Sequence, residues 1–360
     1  MELYWEWLCS IPGIYHAQQE VLLRCFGTPQ GVWESSDQEL IHLEKQGCQF
    51  VQRVRTFRQT GSPDEIRHGR EELGIQFISS EHRDFPRKLL TLGDCPFGLF
   101  YKGRLPDDER RAAAVVGARM CTPRGKRLAE QISRHLVWAG GQVVSGAAYG
   151  IDGAAQWAAA EQKGASYAVL GCGADQCYPA AHAPLLERLV ECGGGVLSEF
   201  PPGTPPLKTH FPLRNRIISG LSDLVIVVEA RLRSGSLITA GYAAEQGRSV
   251  MAVPGRPEDE LSAGCNELIA LGADIILSAD DPANILFPDY KEKNKQLSED
   301  IALAPAEKLV YSSLGLHTKS LWELEESTSL TLPELGDSLL SLEFKGLVRE
   351  TERNYYTRMK

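Results

Sequence analysis

An α/β fold built on a doubly wound parallel sheet follows from three observations. Short apolar runs recur through the middle of the chain, amphipathic stretches of helical pattern separate them, and several of the runs end in glycine. Strands alternating with helices make βαβ units, and the glycines mark the loops at the carboxyl ends of such strands.

Residues 1–74 come first, as short helices broken by PGI (12–14), FGTPQG (26–31) and KQG (45–47), which predicts a small helical domain. Its turn SIPGIYH is of helix-hairpin-helix type, but Tyr15 stands where a second glycine would present backbone amides to a phosphate, so a structural role is expected. Residues 75–288 carry the sheet, with strands expected in AAAVVG (112–117), QVVSG (142–146), SYAVLG (166–171), GVLSE (195–199), LVIVVEA (224–230), SVMAVPG (249–255) and ADIILS (273–278). LVIVVEA is nearly unbroken Val and Ile, as expected of a parallel strand covered on both faces. The polar stretch 289–304 reads as a linker, and residues 305–360 as three helices near 305–314, 318–326 and 332–345 followed by a β-hairpin, an order that fits a winged helix.

Composition excludes several classes. A chain of 360 residues, 43% hydrophobic and 24% charged, predicts two or three globular domains. No window approaches the apolar length of a membrane span, so no membrane association and a cytoplasmic location are expected. Nine cysteines without a CxxC predict neither a disulfide framework nor a metal site. A net charge of -9 requires any nucleic-acid site to be a local patch rather than a basic coat.

That patch is sought in TPPLKTHFPLRNR (204–216), read as a positive, aromatic-flanked turn in which Lys208, Arg214 and Arg216 accompany Phe211 and Asn215 with no acid among them. Downstream, RSGSLITAG (233–241) opens a helix whose free amides, with Ser236 and Thr239, favour an anion. VVGARMCTPRGKR (115–127) places Gly117 and Arg119 at a strand end, where Arg119 either holds a phosphate or pairs with an acid such as Glu229. In SGAAYGIDGAAQ (145–156), Gly146 and Gly150 permit close backbone approach, and Asp152 reads as a helix N-cap. Neither segment is a P-loop or a GxGxxG fingerprint, so no nucleotide cofactor is expected. No nucleophile elbow, HExxH or paired-carboxylate spacing is present, which predicts binding rather than catalysis.

Taken in order, VVGAR, SGAAYGID, AVLGCGAD, GVLSEFPPGTPP, HFPLRNRIISGLSDLVIVVEA, SGSLITA and GCNELIALGA resemble the DprA (Smf) family of DNA-processing proteins over about residues 82–280. The resemblance implies an extended Rossmann-like domain with a helical N-terminal domain and a winged-helix-like C-terminal one. It implies single-stranded DNA binding, homodimerisation and loading of RecA recombinase during natural transformation. It assigns DNA contacts to Arg119, Lys208, Phe211, Arg214, Asn215, Arg216, Ser236 and Thr239, and a dimer-forming region to CNELIALGADIIL (265–277), including Ile269 and Ile276. Tyr149 stands where the family pattern has arginine. A different class, a phosphoribohydrolase-like nucleotide-processing enzyme on the same type of sheet, would carry its catalytic glutamate in a PGGxGTxxE signature, of which RSGSLITAGYAAE is a distant echo.

Overall fold

The structure is a computed structural model that describes residues 1–290, 303–314 and 318–358. Its contacts divide into two compact units, Met1–Leu277 and Ser278–Lys360. The expected boundary near residue 74 falls inside the first unit. Trp5 stacks on Phe97 and donates to Glu81, while the Glu2 carboxylate accepts from the backbone and hydroxyl of Ser79. The helical segment is thereby tied to the sheet.

The first unit holds nine strands: β1 (Gln76–Ser79), β2 (Gly98–Gly103), β3 (Ala112–Val116), β4 (Gln142–Ser145), β5 (Ser166–Val169), β6 (Gly195–Ser198), β7 (Leu224–Val227), β8 (Ser249–Ala252) and β9 (Asp274–Ile275). Their order is β1-β2-β6-β5-β4-β3-β7-β8-β9. All seven expected runs supply strands, and those seven pair in parallel. The antiparallel strands β1 and β2 extend the β6 edge. β3 and β7 are buried throughout, as central strands covered by helices on both faces must be. The helix Pro123–Trp138 starts at Pro123, with Thr122 accepting from the Gly125 amide. The helix Ile151–Glu161 is so rich in alanine that nearly all of it is buried against β3, β4, β5 and its neighbouring helix.

Two local expectations are corrected. FPLRNRIISG is a helix, His210–Gly220, and not a turn. Its buried face includes Arg214, Asn215 and Arg216 beside Ile217 and Ile218, so polar residues occupy positions that normally reveal a helix by their hydrophobicity. Asp152 is not an N-cap, because Gly150 holds that position with φ +79 and Asp152 lies inside the first turn.

In the second unit, helices Asp281–Leu286, Pro305–Ser313, Leu321–Thr328 and Leu332–Phe344 accompany a three-stranded sheet of order β10 (Lys319–Ser320), β12 (Tyr355–Arg358), β11 (Val348–Glu352). Val310, Leu324, Leu335, Leu339 and Leu342 form its core, and the Glu307 carboxylate accepts from Lys345 and Ser341. Most of the expected linker, residues 291–302, lies outside the described residues. Among the described residues no helix is long and apolar enough to cross a membrane, and no cluster of His, Cys, Asp or Glu is placed to hold a metal ion.

Candidate nucleic-acid interface

From β3 the chain builds β4, β5 and β6 on one side, then returns to place β7 on the other side of β3. The crevice outside the carboxyl ends of strands at such a switch point is where doubly wound sheets take ligands. A pocket of about 430 Å³ lies there. Its walls are Gly117–Met120 after β3, the 231–236 segment after β7, and Phe211, Arg214 and Asn215 of the His210–Gly220 helix.

Arg214 is buried, 4% exposed, at the back of this pocket. It donates to the carbonyls of Gly146 and Val169 and to the Asn215 side chain. Burial pulls its pKa down to about 10, Asp152 works against that shift, and the guanidinium stays charged at neutral pH. Asp152, also buried, accepts from the Gly146 amide at 3.1 Å. Burial raises its pKa, against the opposing pull of Arg214 and the amides of Gly146 and Gly117. Glycine is required along this contact: a Cβ on Gly146 would lie 2.3 Å from the Arg214 guanidinium, and one on Gly150 would lie 2.2 Å from the Ala118 carbonyl oxygen. A Cβ on Gly117 would meet Ile151 at 2.7 Å.

The accessible wall has different chemistry. Arg119 is exposed, and its guanidinium carbon lies 5.3 Å from the Phe211 ring centroid, within cation–π range. The alternative ion pair with Glu229 is not formed. That carboxylate accepts from the backbone and hydroxyl of Thr122. Opposite, the helix Gly235–Glu245 points its N-terminus into the pocket, with Ser234 as N-cap and Ser236 and Thr239 on its inner face. Asn215 donates to the Gly235 carbonyl and so ties this helix start to the Phe211 helix. A helix N-terminus, hydroxyls and an exposed guanidinium together make an anion site.

Of the residues expected from sequence, Gly117, Arg119, Phe211, Arg214, Asn215, Ser236 and Thr239 line the pocket. Gly146 and Gly150 support it from behind. Lys208 is exposed on the loop before the helix and does not line it. Arg216 is buried on another face, where it pairs with Glu199 at 2.6 Å and Asp94 at 3.0 Å. The two acids that neutralise it are distant in sequence, so the cluster is not uncompensated. Ile276 is 3% exposed and Ile269 packs against the core, so the outward apolar residues of that region are instead Leu271, Ile275 and Leu277. The pocket also contains Arg231, just upstream of RSGSLITAG, and Arg233 and Ser234, which open that segment but are not among the contacts expected from sequence. The signal was cations beside a helix start, Arg231 and Arg233 before Ser234, at the head of the segment chosen for its hydroxyls.

Residues 76–286, which include every pocket residue, match the family described as DNA recombination-mediator protein A. The chain belongs to this family. Among the relatives of this DNA recombination-mediator protein, protein Smf of Synechocystis sp. is 30% identical over 99% of this chain and 98% of its own length. Protein Smf of Escherichia coli is 38% identical over 79% and 78%. The X-ray structure of DNA processing protein A from Streptococcus pneumoniae superposes with a TM-score of 0.64 at 36% identity, over 78% of this chain and 96% of that one. DNA processing protein A from Helicobacter pylori, whose structure was determined for its unique single-stranded DNA binding mode, gives a TM-score of 0.53 at 30% identity over 60% and 97%.

Proposed function

We propose that this recombination mediator binds single-stranded DNA in the switch-point pocket, protects the strand and hands it to RecA in the cytoplasm. The observation that carries the reading is the Phe211 ring beside the exposed Arg119 and across from a helix N-terminus. Guanidinium and amides suit phosphate oxygens, while an aromatic face suits an unpaired base, which a duplex keeps stacked inside. Focusing these groups in one crevice lets a chain of net charge -9 bind a polyanion. Lys208, on the neighbouring loop, would add a backbone contact outside the pocket.

The protein would act as a homodimer through the sheet edge at β9. Leu271 is 79% exposed and Ile275 46% exposed there, and an edge strand has backbone groups available for pairing. Two joined pockets would hold one strand by effective concentration. The C-terminal unit, read as a winged helix, would contact protein rather than DNA. Its helix Leu332–Phe344 carries Glu334, Asp337 and Glu343, an unfavourable surface against phosphates despite Arg349, Arg353 and Arg358 in the hairpin.

The phosphoribohydrolase-like alternative lacks its carboxylate. Among the described residues Asp152 is the only acid lining the pocket, and it is buried and committed to a backbone amide. Glu245 ends the Gly235–Glu245 helix, roughly 15 Å along the axis from its start. Electrophoretic mobility shifts with single strands and blunt duplex, with and without RecA, test the proposal. Preferential binding of single strands and faster RecA filament formation are expected. Equal affinity for duplex, or release of free base from nucleoside monophosphates, would overturn it.

A further inference from the structure

Beside the pocket stands a second aromatic residue. Tyr178 follows β5, its ring centroid 5.5 Å from that of Phe211 with the planes at 40°, and it remains 45% exposed. Its loop is firmly held. The Gly173 amide donates to the Thr204 carbonyl, the Gln176 amide to the Gly173 carbonyl, and the Gly203 amide to the Asp175 carboxylate. A tyrosine serving only to pack would bury its ring or anchor its hydroxyl. This one does neither among the described residues. A rigid ring on a fixed loop offers contact area at little entropic cost.

We propose that Tyr178 is a second base-stacking platform. The bound strand then runs from the phosphate pocket at β3 and β7 toward the carboxyl ends of β4 and β5. This deepens the single-stranded DNA reading of the pocket and rests on it. Phe211 alone cannot stack consecutive bases freely, because the Arg119 guanidinium already lies against its ring. Tyr178 supplies a less encumbered surface beside it. In the same direction, the loop after β4 presents Tyr149, 50% exposed and set edge-on to His182 at 5.1 Å. The track therefore continues over aromatic side chains, and a tyrosine in place of an arginine there exchanges a charge for a ring.

The test measures fluorescence anisotropy of labelled oligothymidylate and of an abasic sugar-phosphate strand of the same length, using the full chain. Tyr178→Ala should weaken binding to oligothymidylate by about fivefold to about a hundredfold, leave the abasic strand bound as before, and keep the salt slope unchanged. Tyr178→Phe should restore affinity. Circular dichroism that matches the unmodified protein excludes misfolding, which is expected because nearly half of the residue is exposed. If Tyr178→Ala binds oligothymidylate normally while Phe211→Ala does not, the second platform is overturned and the pocket reading survives. An equal loss on both strands also overturns it, since the residue would then act through backbone or fold. If the unmodified protein does not prefer oligothymidylate to the abasic strand, base stacking at this pocket fails altogether, and the inference fails with it.

Discussion

Arg119 and Arg216 look alike in sequence and are expected to fail in opposite ways when mutated. Arg119 is exposed and forms no salt bridge among the described residues, so Arg119→Met should leave the fold intact and remove one phosphate contact. On single strands this lowers the slope of log affinity against log salt by about 0.7. Arg216 has only 5% of its side chain exposed, and it neutralises Glu199, itself 14% exposed, and Asp94, 50% exposed. Arg216→Met strands the Glu199 carboxylate, while Asp94 can rehydrate. Breaking a buried pair costs about 3 to 5 kcal/mol, and the half-exposed Asp94 places this case near 3 kcal/mol. That is a large share of a domain's stability. Hydrogen exchange of the His210–Gly220 amides reports the loss within the first unit alone, and anisotropy titrations between low and moderate salt report the slope. A shallower slope for Arg216→Met with unchanged amide protection would refute the division into scaffold and contact.

Phe211→Ala should cost about 1 to 3 kcal/mol of single-strand affinity if its ring stacks on a base, and unchanged affinity in the anisotropy assay would remove that role. Deleting residues 300 to 360 should keep affinity within about tenfold, or 1.4 kcal/mol, because residues 305–360 hold nine acids against seven Lys and Arg; a larger loss in a folded, dimeric truncation would give the hairpin arginines the DNA role. Leu271→Glu should turn a dimer into a monomer in light scattering without loss of secondary structure, and a dimer that persists would move the interface away from β9. Asp223 supplies a pH signature. Burial alone would raise its pKa, but Lys88, the Ala112 amide and Arg111 together bring it below the ordinary value. The resulting stability is present above the unfolded pKa of about 3.9 and is lost as pH falls through the lower folded value. Asp223→Asn should therefore melt earlier at neutral pH and lose less stability than the unmodified protein on acidification, which thermal melts from pH 6 to pH 3 would check.

The parallel sheet was legible because its strands are buried on both faces, and continuous burial leaves an unambiguous apolar run. β1 and β2 were not, since QFIS is only half buried and GLFYKG loses its burial along its length. The helix His210–Gly220 stayed hidden for a related reason. Arg214 and Arg216 are buried by long-range partners: carbonyls at the ends of β4 and β5 for one, acids at 94 and 199 for the other. No local pattern announces such pairing. Phe211, Arg119 and Ser236 could be found because each sits at a strand or helix end that the run of elements already located. Whether a neighbouring cation faces the same crevice depends on side-chain direction, which sequence does not give: Arg216 turns to Asp94 and Glu199, while Arg231 and Arg233 line the crevice.

The division between buried and exposed charge also bears on the proposal that this pocket holds a strand. Arg214 and Asp152 lie at its base, each satisfied mainly by backbone, and through Gly146 they link the loop after β4 to the Phe211 helix. Gly150, whose backbone lies against the Ala118 carbonyl, brings the Arg119 loop onto the same base. Two loops and the Phe211 helix are thus fixed by contacts that leave no room for side chains, and the accessible cations project from a rigid floor. Rigidity of this kind lowers the ordering cost of binding. It also holds Asp152, the one acid lining the pocket among the described residues, buried against the Gly146 amide. His210, the nearest imidazole in sequence, is committed to the Gly171 carbonyl and the Tyr15 hydroxyl, and it is absent from the pocket wall. With cations, helix-start amides and aromatic rings lining the crevice, and Asp152 and His210 held by structural partners, the groups that face outward are those the proposed grip on a phosphodiester would use.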